Sequence, residues 1–168
     1  LSIRRQRQMC IRDSCIDTSG EGLHKRGYRP AHNAAPLKET MAAAMVSLSR
    51  YRGREDFCDP FCGSGTIPIE AALIAKNRAP GLHRDFSAMR WRSLDKSVWQ
   101  LEREEAVSRE FNGNYNIIGT DIDPTALDIA RENAARAGVS DIVRFEKADA
   151  TKFDRVTENG IIVTNPPY

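Results

Sequence analysis

The sequence predicts an α/β domain, a parallel sheet with helices on its flanks, and three observations predict it. Short apolar runs recur at Asp56–Asp59, Asn116–Asp121, Ile142–Glu146 and Gly160–Thr164, each too short for a helix. The first two are each followed by a helical run, which is the alternation that builds parallel sheets. Every strand-like run also leads to an acid or an amide: Asp59, Asp121, Asp149 and Asn165. Ligands of a parallel sheet bind beyond the carboxyl ends of its strands, so these four groups converge on one edge.

Composition narrows the class. A chain of 168 residues suits one domain with a sizeable core. No run of about 18 apolar residues is present, so no helical membrane span is expected. The N-terminus is Arg-rich but lacks the roughly 7–15-residue apolar core of a signal peptide. The four cysteines form no Cys-x-x-Cys pair. No zinc or other metal site is therefore expected, and reduced thiols in a cytoplasmic protein are the default. The net charge of +2 hides an asymmetry. Residues 1–54 hold 11 Lys/Arg against 4 Asp/Glu, and residues 55–168 hold 14 against 19. A basic front ahead of an acidic core suits an anionic macromolecular partner, and a solvated basic tail is the alternative.

Taken in order, Leu1 to Ser14 shows neither helical nor strand periodicity and reads as a non-native or disordered leader, resembling translated adapter read-through. Residues 15–54 read as a linker and first helix, and residues 55–168 as the α/β core that follows them. Asp17–Arg29 is dense in glycine and basic residues, a loop or edge hairpin whose Arg and Tyr can meet phosphate and base. Pro36–Leu48 reads as a helix, with Pro36 in its first position and Leu37, Met41, Ala44/Met45 and Leu48 as its core stripe. Strand one is Asp56–Asp59, and a helix follows from Thr66 to about Asn77. Pro80–Gly113 is long for a connection. It interleaves Arg84, Phe86, Arg90, Trp91 and Arg92, and then a charged helix-like run spans Leu94–Glu110. These residues either stack and pair with RNA or, for Trp91 and Trp99, cap the core. Strand two is Asn116–Asp121. Asp123 caps the next helix, Pro124 occupies its first turn, and Gly138 closes it. Its core stripe is Leu127, Ala130, Ala134 and Ala137. Strand three is Ile142–Glu146. Strand four is apolar enough to be central in a parallel sheet, and it leads into Asn165-Pro-Pro-Tyr168.

The chemistry lies at the strand ends. Asp59-Pro-Phe-Cys-Gly-Ser-Gly-Thr66 is a strand–glycine turn–helix segment, where Gly63 and Gly65 let backbone approach a ligand. A dinucleotide site needs Gly-x-Gly-x-x-Gly and an acid about 20 residues on. Here Pro68 stands at the third glycine, and Asp121 lies far beyond that distance. An acid ending strand two can accept ribose hydroxyls, and Asp149 can accept from an adenine amine with the Ala150 N–H beside the ring. Each acid singly could instead be a helix cap. In Asn165-Pro-Pro-Tyr168 the two prolines stiffen the turn and remove backbone donors. They leave the Asn165 side-chain oxygen and the Pro166 carbonyl as acceptors for one amine. Tyr168 supplies a stacking face for an extruded base.

These motifs together resemble the class I S-adenosylmethionine-dependent methyltransferases, and within them the enzymes that methylate a nucleobase amine. Asp17-Thr-Ser-Gly, Leu23–Arg29, Pro36–Thr40 and Ala79–Arg84 narrow the resemblance to the bacterial 23S rRNA guanine-N2 methyltransferases. That resemblance implies a Rossmann-like fold truncated after strand four, about three strands beyond Tyr168, and a THUMP domain ahead of the linker. It implies S-adenosylmethionine as cofactor and RNA, 23S rRNA in particular, as partner. Asp59, Phe61, Gly63, Gly65, Asp121, Ile122, Asp149 and Ala150 would then hold the cofactor, with Asn165, Pro166 and Tyr168 catalytic. An adenine-N6 methyltransferase and an inactive RNA-binding module are the other readings.

Overall fold

The computed structural model describes residues 16–29, 37–153 and 159–167. The leader, Pro36 and Tyr168 lie outside the described residues. The elements in chain order are α1 (Glu39–Leu48), β1 (Asp56–Asp59), α2 (Thr66–Ala75), α3 (Lys96–Ser108), β2 (Ile117–Asp121), α4 (Pro124–Ala137), β3 (Val143–Lys147) and β4 (Gly160–Ile162). Short 3₁₀ turns cover Ser87–Arg90 and Ala150–Lys152.

All four strands are parallel, in the order β3-β2-β1-β4. The chain steps outward from β1 to β3 and then returns to lay β4 on the far side of β1. Strand order therefore reverses between β1 and β4, which is where open α/β sheets bind ligands. Cys58 is opposite Ile118 on one side and Ile162 on the other, so the strand ends stay level.

One face of the sheet carries the core. Helix α2 is buried nearly all round, as an apolar helix between a sheet and other helices must be. Helix α4 buries Leu127, Ala130, Ala134 and Ala137, the stripe expected from the sequence. Asp123 caps it by accepting from Thr125 N at 2.9 Å, and Gly138 ends it. Tyr28, Ala42, Val46 and Tyr51 join the same core, so the segment ahead of residue 55 is continuous with it. Across the sheet, Cys58, Ile118, Phe153 and Ile162 line a hollow of about 590 Å³.

One expectation is corrected. Of the expected stripe Leu37 and Met45 pack against the core, but helix α1 buries Glu39, Ala42 and Val46, whereas Met41 and Leu48 are exposed. The small side chains of Ala42 and Val46 let it settle against the alanine-rich α2, and that close approach decides the face. Strand β4 stands at the margin of the described sheet, with Ile162 exposed. Its run of apolar residues suits a strand covered on both faces, and among the described residues it pairs with β1.

Most of the connection from Pro80 to Gly113 sits on the surface, with Arg84 and Ala88 buried. No residue of α3 is buried. Trp99 stacks on Phe86 with ring centroids 5.8 Å apart, while Trp91 is exposed.

Candidate active site

The loop after β1 is clamped at several points. Cys62 N donates to Thr120 O at 2.9 Å, and Gly65 N donates to Cys62 O at 2.8 Å. Asn133, fully buried on α4, donates from Nδ2 to Ser64 O at 3.0 Å. Arg29 donates to the Thr66 hydroxyl at the start of α2. The two glycines serve different ends. A Cβ on Gly65 (φ +82°) would come within 2.9 Å of the Ala130 Cβ and the Phe145 ring, so the loop presses directly on α4 and β3. A Cβ on Gly63 (φ +51°) would meet nothing within 4 Å, so that side of the loop is open for a ligand.

Asp121 joins the loop to the end of β2. Its Oδ2 accepts from Gly63 N at 2.8 Å and its Oδ1 from Asp123 N at 3.0 Å. Each oxygen keeps a lone pair for a ligand. Asp149 accepts on Oδ1 from Thr151 N at 3.0 Å and from the Thr151 hydroxyl at 2.7 Å. These bonds hold its carboxyl below the ordinary carboxylate range.

Asp59 is different: it is buried beneath the loop and accepts from Phe61 N at 3.1 Å. Burial pushes its carboxyl up to about 6. The nearby Thr164 hydroxyl and the Phe61 N–H hold that rise down, and the Asp121 charge adds to it. Thr164 Oγ1 is itself buried and makes no hydrogen bond of full geometry.

A cleft of about 440 Å³ gathers Phe61, Asp121, Ile122, Asp149, Ala150, Asn165 and Pro166, all expected from the sequence. Asp59, Gly63 and Gly65, also expected there, do not line it. Asn165 is exposed at the cleft, and its side chain bonds no other described residue. Two residues went unnoticed in the sequence. Asn133 is the polar member of an otherwise apolar helix face, and Glu70 is the acid inside an apolar helix; each is a recognisable signal of a buried tether.

Phe61 and Ile122 offer apolar surface for a flat ring, and Asp121 and Asp149 offer acceptors for hydroxyl and amine donors. Among the described residues neither Lys, Arg nor His lines the cleft, so none of them offers a side chain to neutralise a pyrophosphate. The residues fit a nucleoside that carries no phosphate and suit a dinucleotide poorly. Among doubly wound sheets, that distinction separates the class I methyltransferase fold from the dinucleotide-binding one. The chain belongs to the UPF0020 family, RMKL-like methyltransferase domain, which it matches over residues 26–168.

The chain is 47% identical over 157 residues to "Putative RNA methyltransferase YpsC" of Bacillus subtilis, covering 91% of this chain and 40% of that protein. It is 45% identical to "Ribosomal RNA large subunit methyltransferase K/L" of Shewanella baltica, over 91% of this chain and 22% of that one. A Listeria monocytogenes crystal structure described as a "predicted N6-adenine-specific DNA methylase" superposes with TM-score 0.87 at 50% identity, covering 91% and 40% of the two chains. The crystal structure of SMU.472 complexed with SAH superposes with TM-score 0.84 at 42% identity, over 91% and 40%. The chain therefore spans less than half the length of these relatives.

Proposed function

We propose that this domain methylates an exocyclic amine of a base in RNA, with S-adenosylmethionine as donor, and that the target is guanine N2 in 23S rRNA. One observation carries the reading: Asn165 and Pro166 share the cleft of Asp121 and Asp149, at the reversal of strand order. The relative solved with SAH supports the cofactor, and the ribosomal RNA methyltransferase K/L relatives support the substrate class. When bound, the cofactor supplies a methyl group on a positively charged sulfur.

The chain's own residues bind and align. Asp121 accepts the ribose hydroxyls on its free lone pairs. Asp149 and the Ala150 N–H address the adenine, with Phe61 and Ile122 against the ring. The lone pair of an exocyclic amine is delocalised into its ring, which makes it a poor nucleophile. Asn165 Oδ1 and the Pro166 carbonyl accept its two N–H groups. That favours a pyramidal nitrogen and stabilises the positive charge growing on it. No strong base is required, because the nitrogen becomes acidic as the charge develops and its surplus proton passes to solvent water. Tyr168 stacks on the extruded base. Residues 55–168 are the front part of the catalytic domain, 15–54 its linker and first helix, and the setting is cytoplasmic.

The structure described as an adenine-specific methylase favours a second target, adenine N6. Incubating the full chain with unmodified 23S rRNA and labelled S-adenosylmethionine, followed by mass spectrometry of the nucleosides, separates the two. N2-methylguanosine is the expected product. N6-methyladenosine would transfer the assignment to adenine, and no labelled nucleoside would overturn it.

A further inference from the structure

A second cleft lies on the front segment. It measures about 820 Å³ and is walled by residues 19–29, the start of α1 and the turn around Asp85–Arg90. Six cations line it: Lys25, Arg26, Arg29, Lys38, Arg84 and Arg90. Its three acids are Glu21, Glu39 and Asp85, and all are paired. Glu21 meets Lys25 at 3.0 Å, Glu39 meets Arg29 at 3.8 Å, and Asp85 meets Arg103 at 3.8 Å. Arg26 is held by Glu70 at 2.9 Å. Among the described residues Lys38, Arg84 and Arg90 face no carboxylate.

Arg84 is the informative one. It is buried and donates only to carbonyls, those of Ser19, Glu21 and Gly22. Its Nε is buried and donates no hydrogen bond. A buried guanidinium without an anion is costly, and an arriving anion relieves the cost. Lys38 and Arg90 line the same cleft, both exposed and both unpaired among the described residues.

Position adds to charge. Arg29 bonds the Leu37 carbonyl ahead of α1 and the Thr66 hydroxyl that begins α2. The cleft therefore opens at the amino ends of both helices. In a parallel α/β unit that is also the end where the strands deliver Asp59, Asp121 and Asn165.

We infer that this cleft binds the phosphodiester backbone of the substrate RNA, with Lys38 and Arg90 as phosphate contacts and Arg84 as the cleft's fixed positive charge. The inference rests on the RNA reading above. A cleft of this volume with cations spread over three segments suits a backbone of repeated charges better than one isolated anion.

The test is binding of a fluorescein-labelled single-stranded RNA oligomer to the full chain across a salt series. Lys38→Ala with Arg90→Ala removes two cations whose side chains bond nothing among the described residues. Each phosphate contact to a single strand contributes about 0.7 to the slope of log affinity against log salt. The double variant should lower that slope by about 1.4 and lose about 25-fold in affinity near 0.1 M salt. Lys38→Arg with Arg90→Lys should restore both. Arg52→Ala with Arg54→Ala, ahead of β1 and thus at the opposite end of the strands, should change neither. A wild-type slope in the Lys38/Arg90 double variant overturns the cleft and leaves the RNA reading standing. Equal losses on polyglutamate would make the partner an acidic protein and overturn it too. A wild-type chain that binds no RNA sinks both readings.

Discussion

The Gly63 backbone N–H donates to Asp121 Oδ2 across 2.8 Å, so the loop after β1 and the end of β2 form one unit. An acid proposed to hold ribose hydroxyls thus also fixes the loop that bounds the same ligand. Asp121→Ala removes both functions. It should weaken S-adenosylhomocysteine binding by about 1.5–3 kcal/mol, the range for hydrogen bonds to a charged group. Isothermal calorimetry on the full chain reads this directly. Unchanged affinity removes Asp121 from the cofactor assignment.

Asp59 makes the opposite kind of contribution. Its carboxyl titrates near 6 in the folded chain against an ordinary 3.8, because burial disfavours the charge. The folded state then binds this proton more tightly than the unfolded state does. The stability linked to Asp59 is fully present below about pH 4 and is lost as pH rises through about 6. Asp59→Asn keeps an oxygen for Phe61 N and removes the charge. It should raise unfolding stability by about 1–3 kcal/mol at pH 8 and leave it near wild type at pH 4. Denaturant unfolding at the two pH values is the measurement, and a pH-independent difference would count against the buried charge.

A buried tether predicts a third result. Asn133 Nδ2 is the side-chain donor to Ser64 O, and nothing replaces it in Asn133→Ala. The stranded carbonyl and the lost contact should cost about 1–3 kcal/mol in unfolding. Because Ser64 lies between the two loop glycines, cofactor affinity should fall as well. A variant that loses stability but binds S-adenosylhomocysteine normally would show that Asn133 supports α4 alone.

The pair Arg26–Glu70 separates charge from packing. Glu70 Oε1 accepts from Arg26 Nε at 2.9 Å and from the Tyr28 hydroxyl at 3.0 Å, all with little exposure. Arg26→Ala leaves a buried carboxylate facing Tyr28 alone, which should cost about 3–5 kcal/mol. Arg26→Met with Glu70→Leu removes both charges and should recover most of that loss. If the double variant is no better than Arg26→Ala, the contact matters by shape rather than by charge.

The sheet was legible because its signals are local. Short apolar runs mark strands, Asp123-Pro124 starts a helix and Gly138 ends one, and each recurs in the structure within a residue or two. The site was legible for a related reason, since parallel strands put their ends on one edge whatever else the chain does. The face of α1 was not legible. Met41 and Leu48 are more apolar than Ala42, yet the close approach to α2 rewards small side chains. Nor was the use made of the front-segment arginines. Arg26, Arg29 and Arg84 look like free phosphate contacts in sequence, but their guanidiniums hold Glu70, Thr66 and three backbone carbonyls. Such pairings join residues 37 to 65 positions apart, and no local pattern announces them.

The last prediction concerns Asn165. It stands beside the cleft, exposed and bonded to no other described side chain, so removing it disturbs little of the fold. Its proposed contact strengthens as positive charge grows on the amine, and therefore acts on the transition state more than on bound substrate. Asn165→Ala should lower kcat about 100–1,000-fold, the cost of removing one preorganised hydrogen-bonding group. S-adenosylhomocysteine affinity should stay near wild type, because the proposed cofactor contacts lie on Asp121 and Asp149. Asn165→Asp keeps an acceptor in place and should retain part of the activity. Tyr168→Ala should chiefly raise KM, by the equivalent of about 1–3 kcal/mol of lost stacking. Single-turnover methylation of unmodified 23S rRNA separates these effects. If Asn165→Ala transfers methyl groups at the wild-type rate, acceptor-assisted activation of the amine is wrong for this domain.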